Sequence, residues 1–324
     1  MIKTKVTEML DCKYPIIVGT MANITTPEFV AACSNAGACA VLASANYRTP
    51  EELREAIRRT SSLTNQPFAV NINLFPALMP QDKLEGFVEA TLDEGAKIIE
   101  TSGHKAPEHL VPKFKQGDAI WIHKCAGVRY AKKGASLGAD IITVVGYENG
   151  GATGILDIGT LVMAPSVVDA LDIPVIAGGG VTDGRGVAAI LALGAEGVIM
   201  GTRMMATKEC PIHDNLKQAF IQARETDTSL VMRSIKNTHR VWRNKAAEQI
   251  IELESQKSSL QQIVQVASGQ NALKMYREGD LDAGIVSCGQ GVGLVKDIPT
   301  VKELLDRIMK DAEDVIQKLG IISK

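Results

Sequence analysis

Aromatic residues make up only 4% of this 324-residue chain, and its 35 Lys and Arg are set against 37 Asp and Glu. Neither a stacking surface for bases nor a basic face for a phosphate backbone can be built from that composition, which argues against nucleic-acid partners. The six cysteines (Cys12, Cys33, Cys39, Cys125, Cys210, Cys288) include no C-x-x-C pair. Neither a zinc site nor a disulfide framework is expected, only free thiols in a reducing compartment. No apolar run is long enough for a bilayer, and residues 1–8 lack the apolar core of a signal peptide. A cytoplasmic protein acting on a small molecule, away from membranes, is the expectation; a homodimer stays open.

What is present is a globular composition, 45% hydrophobic and 22% charged, with length for one large domain carrying an insert. As far as about residue 205, short apolar runs alternate with helix-period stretches. The strands read as 16–18, 40–42, 68–72, 98–100, 119–123, 141–145, 175–177 and 198–200. Helices fall between them, the first opening at Pro27 behind Thr25 and Thr26. Strands that are apolar throughout are buried on both faces, and eight of them fit a closed (β/α)8 TIM barrel over residues 1–206. An open doubly wound sheet tolerates the pattern but does not explain the count. Residues 207–283 lose the alternation and read as a helical cap. Residues 284–324 supply a Gly-rich turn and an amphipathic helix that returns to the barrel.

Strands seven and eight both run into turns stripped of side chains: Gly178-Gly179-Gly180 and Gly201-Thr202. One such turn is all that a tight βα connection needs. Two, one βα unit apart, suggest a phosphate clamp, in which glycines allow close approach of backbone N–H groups and a following helix adds its positive end. The other strand ends carry amides, hydroxyls and one lysine: Asn23, Asn46, Asn71, Asn73, Thr101, Ser102, His104 and Lys124. Metal-ligand clusters, a Ser/His/Asp set and paired carboxylates are absent from these ends. A phosphate anchor without strong acid–base groups implies a cofactor that carries the chemistry, and FMN fits, with Lys124 near the pyrimidine edge of its ring. His104 reads as a loop histidine, His123 as a core or rim residue, and Met204 and Met205 as packing.

Pro15 to Ala22, Asn71 to Phe75, 177–186 and 199–203 resemble the FMN barrels of the nitronate monooxygenase (2-nitropropane dioxygenase) family, which includes FabK-type enoyl-ACP reductases and NADH:quinone reductases. His123-Lys124-Cys125, 206–213 and Met232-Arg233-Ser234 are similar to the quinone reductase branch. The resemblance implies FMN contacts at Ala22, Asn23, Asn71, Lys124, Gly151, Gly179, Gly180, Gly201 and Thr202, and a cap over the substrate mouth. One departure stands out. The family turn after the sixth strand usually reads Gly-x-Glu-x-x-Gly-His-x-Gly, its histidine acting as base or proton donor, and Ala152 takes that place here. Positioned acid–base help is worth roughly 10²–10⁴ in rate, whereas hydride transfer from a nicotinamide needs orientation only. The expectation is an FMN-dependent oxidoreductase moving electrons from NADH or NADPH to a quinone or an enone/enoyl acceptor. The alternatives are nitronate oxidation with Tyr147, His104 or no base, a non-catalytic flavin or phosphometabolite binder, and a phosphosugar isomerase for which no carboxylate base is evident.

Overall fold

A computed structural model describes residues 2–74, 81–103 and 105–322. Six parallel strands follow one another: β1 (Ile16–Val18), β2 (Cys39–Ala43), β3 (Phe68–Asn73), β4 (Ile98–Ser102), β5 (Ile120–Cys125) and β6 (Ile141–Val145). A two-residue strand, β7 (Gly151–Ala152), stands outside the sheet. With β8 (Val175–Gly178) and β9 (Gly197–Met200) the sheet closes, β9 pairing back onto β1 through Ile17↔Ile199. The expected eight-stranded barrel is borne out, and each strand falls within two residues of its reading.

Alternation along the strands sets what the barrel holds, because side chains two apart share a face. Ile17, Val41, Ala69, Ile98, Ile122, Ile141, Ile176 and Ile199 point inward and form one cluster. Val6 and Leu10 of the helix Lys5–Leu10 close it from below. That helix is held by a capping box between Thr4 and Thr7, and by Thr4 Oγ1 donating to the Glu196 carbonyl at 2.6 Å. The opposite parity, with Ile16, Val18, Leu42, Val70 and Ile99, faces the surrounding helices. The helix Pro50–Leu63 shows why those helices form: Thr49 caps the Glu52 amide, Pro50 occupies the first turn, and Leu53, Ala56, Ile57 and Thr60 recur on the buried face. Burying each large aliphatic side chain contributes about 1.5–3 kcal/mol.

The cap departs from its expected all-helical character. It contains a hairpin, β10 (Thr228–Val231) and β11 (His239–Trp242), and β11 pairs on its other edge with β7 to make a three-stranded antiparallel sheet. Neither run, Thr228-Ser229-Leu230-Val231 or His239-Arg240-Val241-Trp242, alternates polar with apolar residues, so no period of two marks them as strands. The partner on the far edge comes from a barrel loop some 90 positions earlier, which local patterning cannot report. Val231, Val241, Ala247, Ile250 and Ile263 form the cap's own core. The helix Val301–Ile322 buries Val301, Leu304, Leu305 and Ile308 in the cluster that holds the outward-facing strand residues. It lies so close to the helix Gly184–Ala192 that a Cβ on Gly184 would stand 2.4 Å from the Ala312 amide nitrogen.

Candidate active site at the C-terminal mouth of the barrel

Two residues beyond the inward-facing Ala69, Ile98, Ile122 and Ile141 come Asn71, Glu100, Lys124 and Thr143, so the apolar interior gives way to a polar wall on β3 to β6. Asn71 Nδ2 donates to Glu100 Oε1 at 2.8 Å and to Ser102 Oγ at 3.0 Å. Lys124 Nζ lies 3.6 Å from the same Glu100 oxygen, and Lys124 is the register partner of Thr143. Glu100 is only 1% exposed, and its Oε2 has no hydrogen-bond partner; neither has the buried Thr143 Oγ1. Buried polar atoms without partners are costly, so a wall that leaves two of them in one place suits a ligand bringing its own donors and acceptors. Sequence reasoning placed Asn71 and Lys124 but missed Glu100. Its signal was parity: it stands two residues after Ile98, on the same face.

The other half of the mouth offers backbone. Gly179 and Gly180 have φ of +109° and +75°, which side-chain-bearing residues rarely adopt, and a Cβ on Gly178 would meet the Ile199 carbonyl oxygen at 2.4 Å. A Cβ on Gly201 would meet only Met21 Sδ, at 3.8 Å, so the space in front of this turn is open. The expected help from a helix N-terminus after β8 is corrected. Asp183 Oδ1 accepts from the Arg185 and Gly186 amides, so the first turn of Gly184–Ala192 is already satisfied by its own cap. Donors for an anion must come from the glycine turns themselves.

A segment that the sequence showed only as Gly-rich ties this half together. The Gly289 amide donates to Thr202 Oγ1 at 2.9 Å, the Gln290 amide to the Glu148 carbonyl at 3.0 Å, and Thr182 Oγ1 to the Gly291 carbonyl at 3.1 Å. In the turn after β6, Glu148 Oε2 accepts from the Thr160 amide at 2.9 Å and from its hydroxyl at 2.8 Å. Glu148 is therefore a strut, and its carboxylate is engaged. Gly151, at φ +82°, opens β7. Tyr147 lies beneath the Arg240 guanidinium, 4.4 Å from its ring centroid, and Arg240 Nε donates to the Tyr147 carbonyl. Ala22 and Asn23 follow β1; Asn23 adopts φ +62°, which asparagine tolerates, and its amide donates to Asn46 Oδ1 at 2.6 Å.

His123 has the opposite parity and faces the helices. Its Nδ1 is 3.0 Å from Thr101 Oγ1, which also accepts from Trp121 Nε1, and burial pushes its pKa down to about 4. It is a neutral core residue, as read from the sequence. The six cysteines are buried and free. Among the described residues no group of His, Cys, Asp and Glu could hold a metal ion, and no helix is long and apolar enough to cross a membrane. His104 and Phe75 lie outside the described residues.

Glycine turns and a polar wall with an unpaired acceptor, an amide and an ammonium, at the same end of one barrel, match the chemistry of FMN. Its phosphate takes backbone donors, and the pyrimidine edge of its ring presents both N–H and C=O groups.

A family model described as "Nitronate monooxygenase" matches residues 3–311. A (3aS,4S,5R,7aS)-5-hydroxy-7a-methyl-1-oxo-octahydro-1H-indene-4-carboxyl-CoA dehydrogenase of Rhodococcus jostii is 33% identical, with 99% of each chain covered. A probable nitronate monooxygenase of Staphylococcus saprophyticus is 31% identical over 70% of this chain and 75% of its own. FabK from Thermotoga maritima superposes with a TM-score of 0.92 at 32% identity, with 99% of both chains covered.

Proposed function

The chain belongs to the nitronate monooxygenase family and is an oxidoreductase, and on that premise we propose that it is an FMN-dependent reductase taking hydride from NADH or NADPH and delivering it to an activated C=C bond, with an enoyl thioester as the foremost acceptor and a quinone as the simpler one. The observation that carries this reading is the pairing of an open glycine cradle at Gly201 with a polar wall on Asn71, Glu100 and Lys124. The 33% identity to a dehydrogenase named for a carboxyl-CoA compound and the likeness to FabK support a thioester.

FMN, when bound, supplies two-electron chemistry that no side chain of this mouth can perform. The protein's part is to hold and orient. Backbone N–H groups at Gly179, Gly180, Gly201 and Thr202 would hold the phosphate, and Asn71 and Lys124 the pyrimidine edge, with Ala22, Asn23 and Gly151 as neighbouring contacts. Lys124 offsets negative charge that develops there, and it needs no reorganisation because Glu100 already anchors it. The hairpin β10–β11, tied through β11 to β7 in the turn after β6, would shield that side of the mouth from water.

Anaerobic stopped-flow mixing of the FMN-loaded protein with NADH and NADPH tests the reading. Flavin bleaching by one of them, followed by recovery on adding crotonyl-CoA or a benzoquinone, is expected. No bleaching with either nicotinamide overturns it. Relatives near 31% identity named as nitronate monooxygenases favour a second reading, oxidation of an alkyl nitronate with O2. Nitronates are already carbanions, so the lack of a base at Ala152 is not fatal to it. Oxygen uptake with propionate 3-nitronate above that of free FMN would favour this reading.

A further inference from the structure

Reduction of a polarised C=C bond needs a proton as well as a hydride. Hydride adds to the β carbon, the π electrons shift to the α carbon, and the α carbon takes a proton from an acid of the site. The described residues around this mouth leave few candidates for that acid. Glu148 is engaged by Thr160, Tyr147 is held under a guanidinium, and Glu100 is buried against Asn71 and Lys124. Burial pushes the Cys125 thiol up to about 12 and raises that of Cys288 further. His123 faces the helices and is core.

One imidazole is placed differently. His239 opens β11, and its register partner on β7 is Ala152. Residues directly opposite on antiparallel strands project to the same face with Cβ atoms about 4.5–5.5 Å apart. His239 therefore projects from the face shared by Val231 on β10 and Ala152 on β7, directly across from the position where the family turn carries its histidine. The neighbouring backbone fixes this placement, since the Thr153 amide donates to the Thr238 carbonyl at 3.2 Å. His239 Nδ1 is 2.8 Å from the Asn237 carbonyl oxygen. A carbonyl only accepts, so Nδ1 carries the proton and Nε2 is the basic nitrogen. This is the arrangement in which a backbone carbonyl orients an imidazole for acid–base work.

We propose that His239, delivered by the cap hairpin opposite Ala152, is the acid–base residue of this site and gives the proton to the α carbon of an enoyl thioester. The proposal rests on the reductase reading above. The imidazolium releases its Nε2 proton while Nδ1–H stays on the Asn237 carbonyl. What remains is the neutral tautomer of the structure, which regains a proton from water. The hydride originates in a dihydronicotinamide, so electrons and protons balance.

His239→Gln and the double variant Ala152→His/His239→Gln test this, with the two half-reactions timed separately. In H239Q, flavin reduction by the nicotinamide should stay within about twofold of the parent, while reoxidation by crotonyl-CoA slows by roughly 10²–10⁴-fold. The second-site histidine in the double variant should restore at least tenfold of that loss, which a merely structural role for His239 would not allow. Nitrogen-15 spectra of the histidine rings in the cofactor-free protein give an independent readout, with Nδ1 protonated in His239. Reoxidation of folded H239Q at the parent rate overturns the proposal, as does an Nε2–H tautomer. A parent that is never bleached, or never reoxidised by crotonyl-CoA, overturns the reductase reading itself, and the inference goes with it.

Discussion

Gly201→Ala separates the fold from the cofactor. Gly201 has φ of −125°, outside the left-handed region, and an added Cβ meets only Met21 Sδ at 3.8 Å, an ordinary contact. Stability should therefore change by no more than about 0.5 kcal/mol. The same methyl group stands where a phosphate would approach the Gly201 and Thr202 amides. A hydrogen bond to a charged group is worth about 1.5–3 kcal/mol, so each one lost weakens binding roughly 10- to 150-fold. Gly179→Ala is the contrasting control. Its φ is +109° and its Cβ would lie 2.6 Å from Thr160 Oγ1, so it should cost the cofactor-free protein about 1–3 kcal/mol as well. Titrating cofactor-free protein with FMN by fluorescence quenching, beside thermal melts, reads both quantities. If Gly201→Ala binds FMN as tightly as the parent, the clamp is elsewhere and the reasoning fails.

Three further outcomes follow from the site and its supports. His123 holds a folded-state pKa of about 4 against 6.5 for the free side chain. The unfolded chain thus takes up a proton that the fold refuses: stability is full above pH 6.5 and falls as pH drops, by about 3 kcal/mol at pH 4. Urea denaturation at several pH values should show this slope, flattened in His123→Gln. Asp297→Ala strips the carboxylate from Arg203, which is 3% exposed and lies 2.6 Å from Asp297 Oδ1. The melt should register a loss of about 2 kcal/mol, less than for a fully buried pair because Asp297 is half-exposed and the Ala206 and Asp297 carbonyls still accept. In the FMN-loaded protein, Glu100→Gln leaves the Lys124 charge without its counter-ion, so the flavin midpoint potential should rise. Lys124→Met should lower it, and equal shifts of one sign would contradict the polar-wall account.

The barrel was legible because each strand is a local, uninterrupted apolar run bounded by glycine or polar residues, as in Ile141–Val145 and Val175–Gly178. Both glycine turns were legible for a related reason: few roles other than close backbone approach favour Gly178-Gly179-Gly180. What escaped is non-local. Glu100 looks like a strand residue before a loop, and only closure of the barrel turns it toward Asn71 and Lys124. The hairpin β10–β11 is completed by β7, a partner supplied by the barrel, and four-residue strands carry little period of their own. Asp183 beside Arg185 could have been read as a helix cap, which would have removed that helix from the proposed phosphate clamp in advance.

The central claim is that the mouth of this barrel grips FMN and that the flavin performs the redox step. Its most direct test is the visible absorption spectrum of the purified protein, incubated with FMN, passed through gel filtration, and then titrated anaerobically with NADH and NADPH. The account predicts a yellow protein retaining close to one flavin per chain and bleaching with a nicotinamide. A colourless protein that takes up no FMN would contradict it.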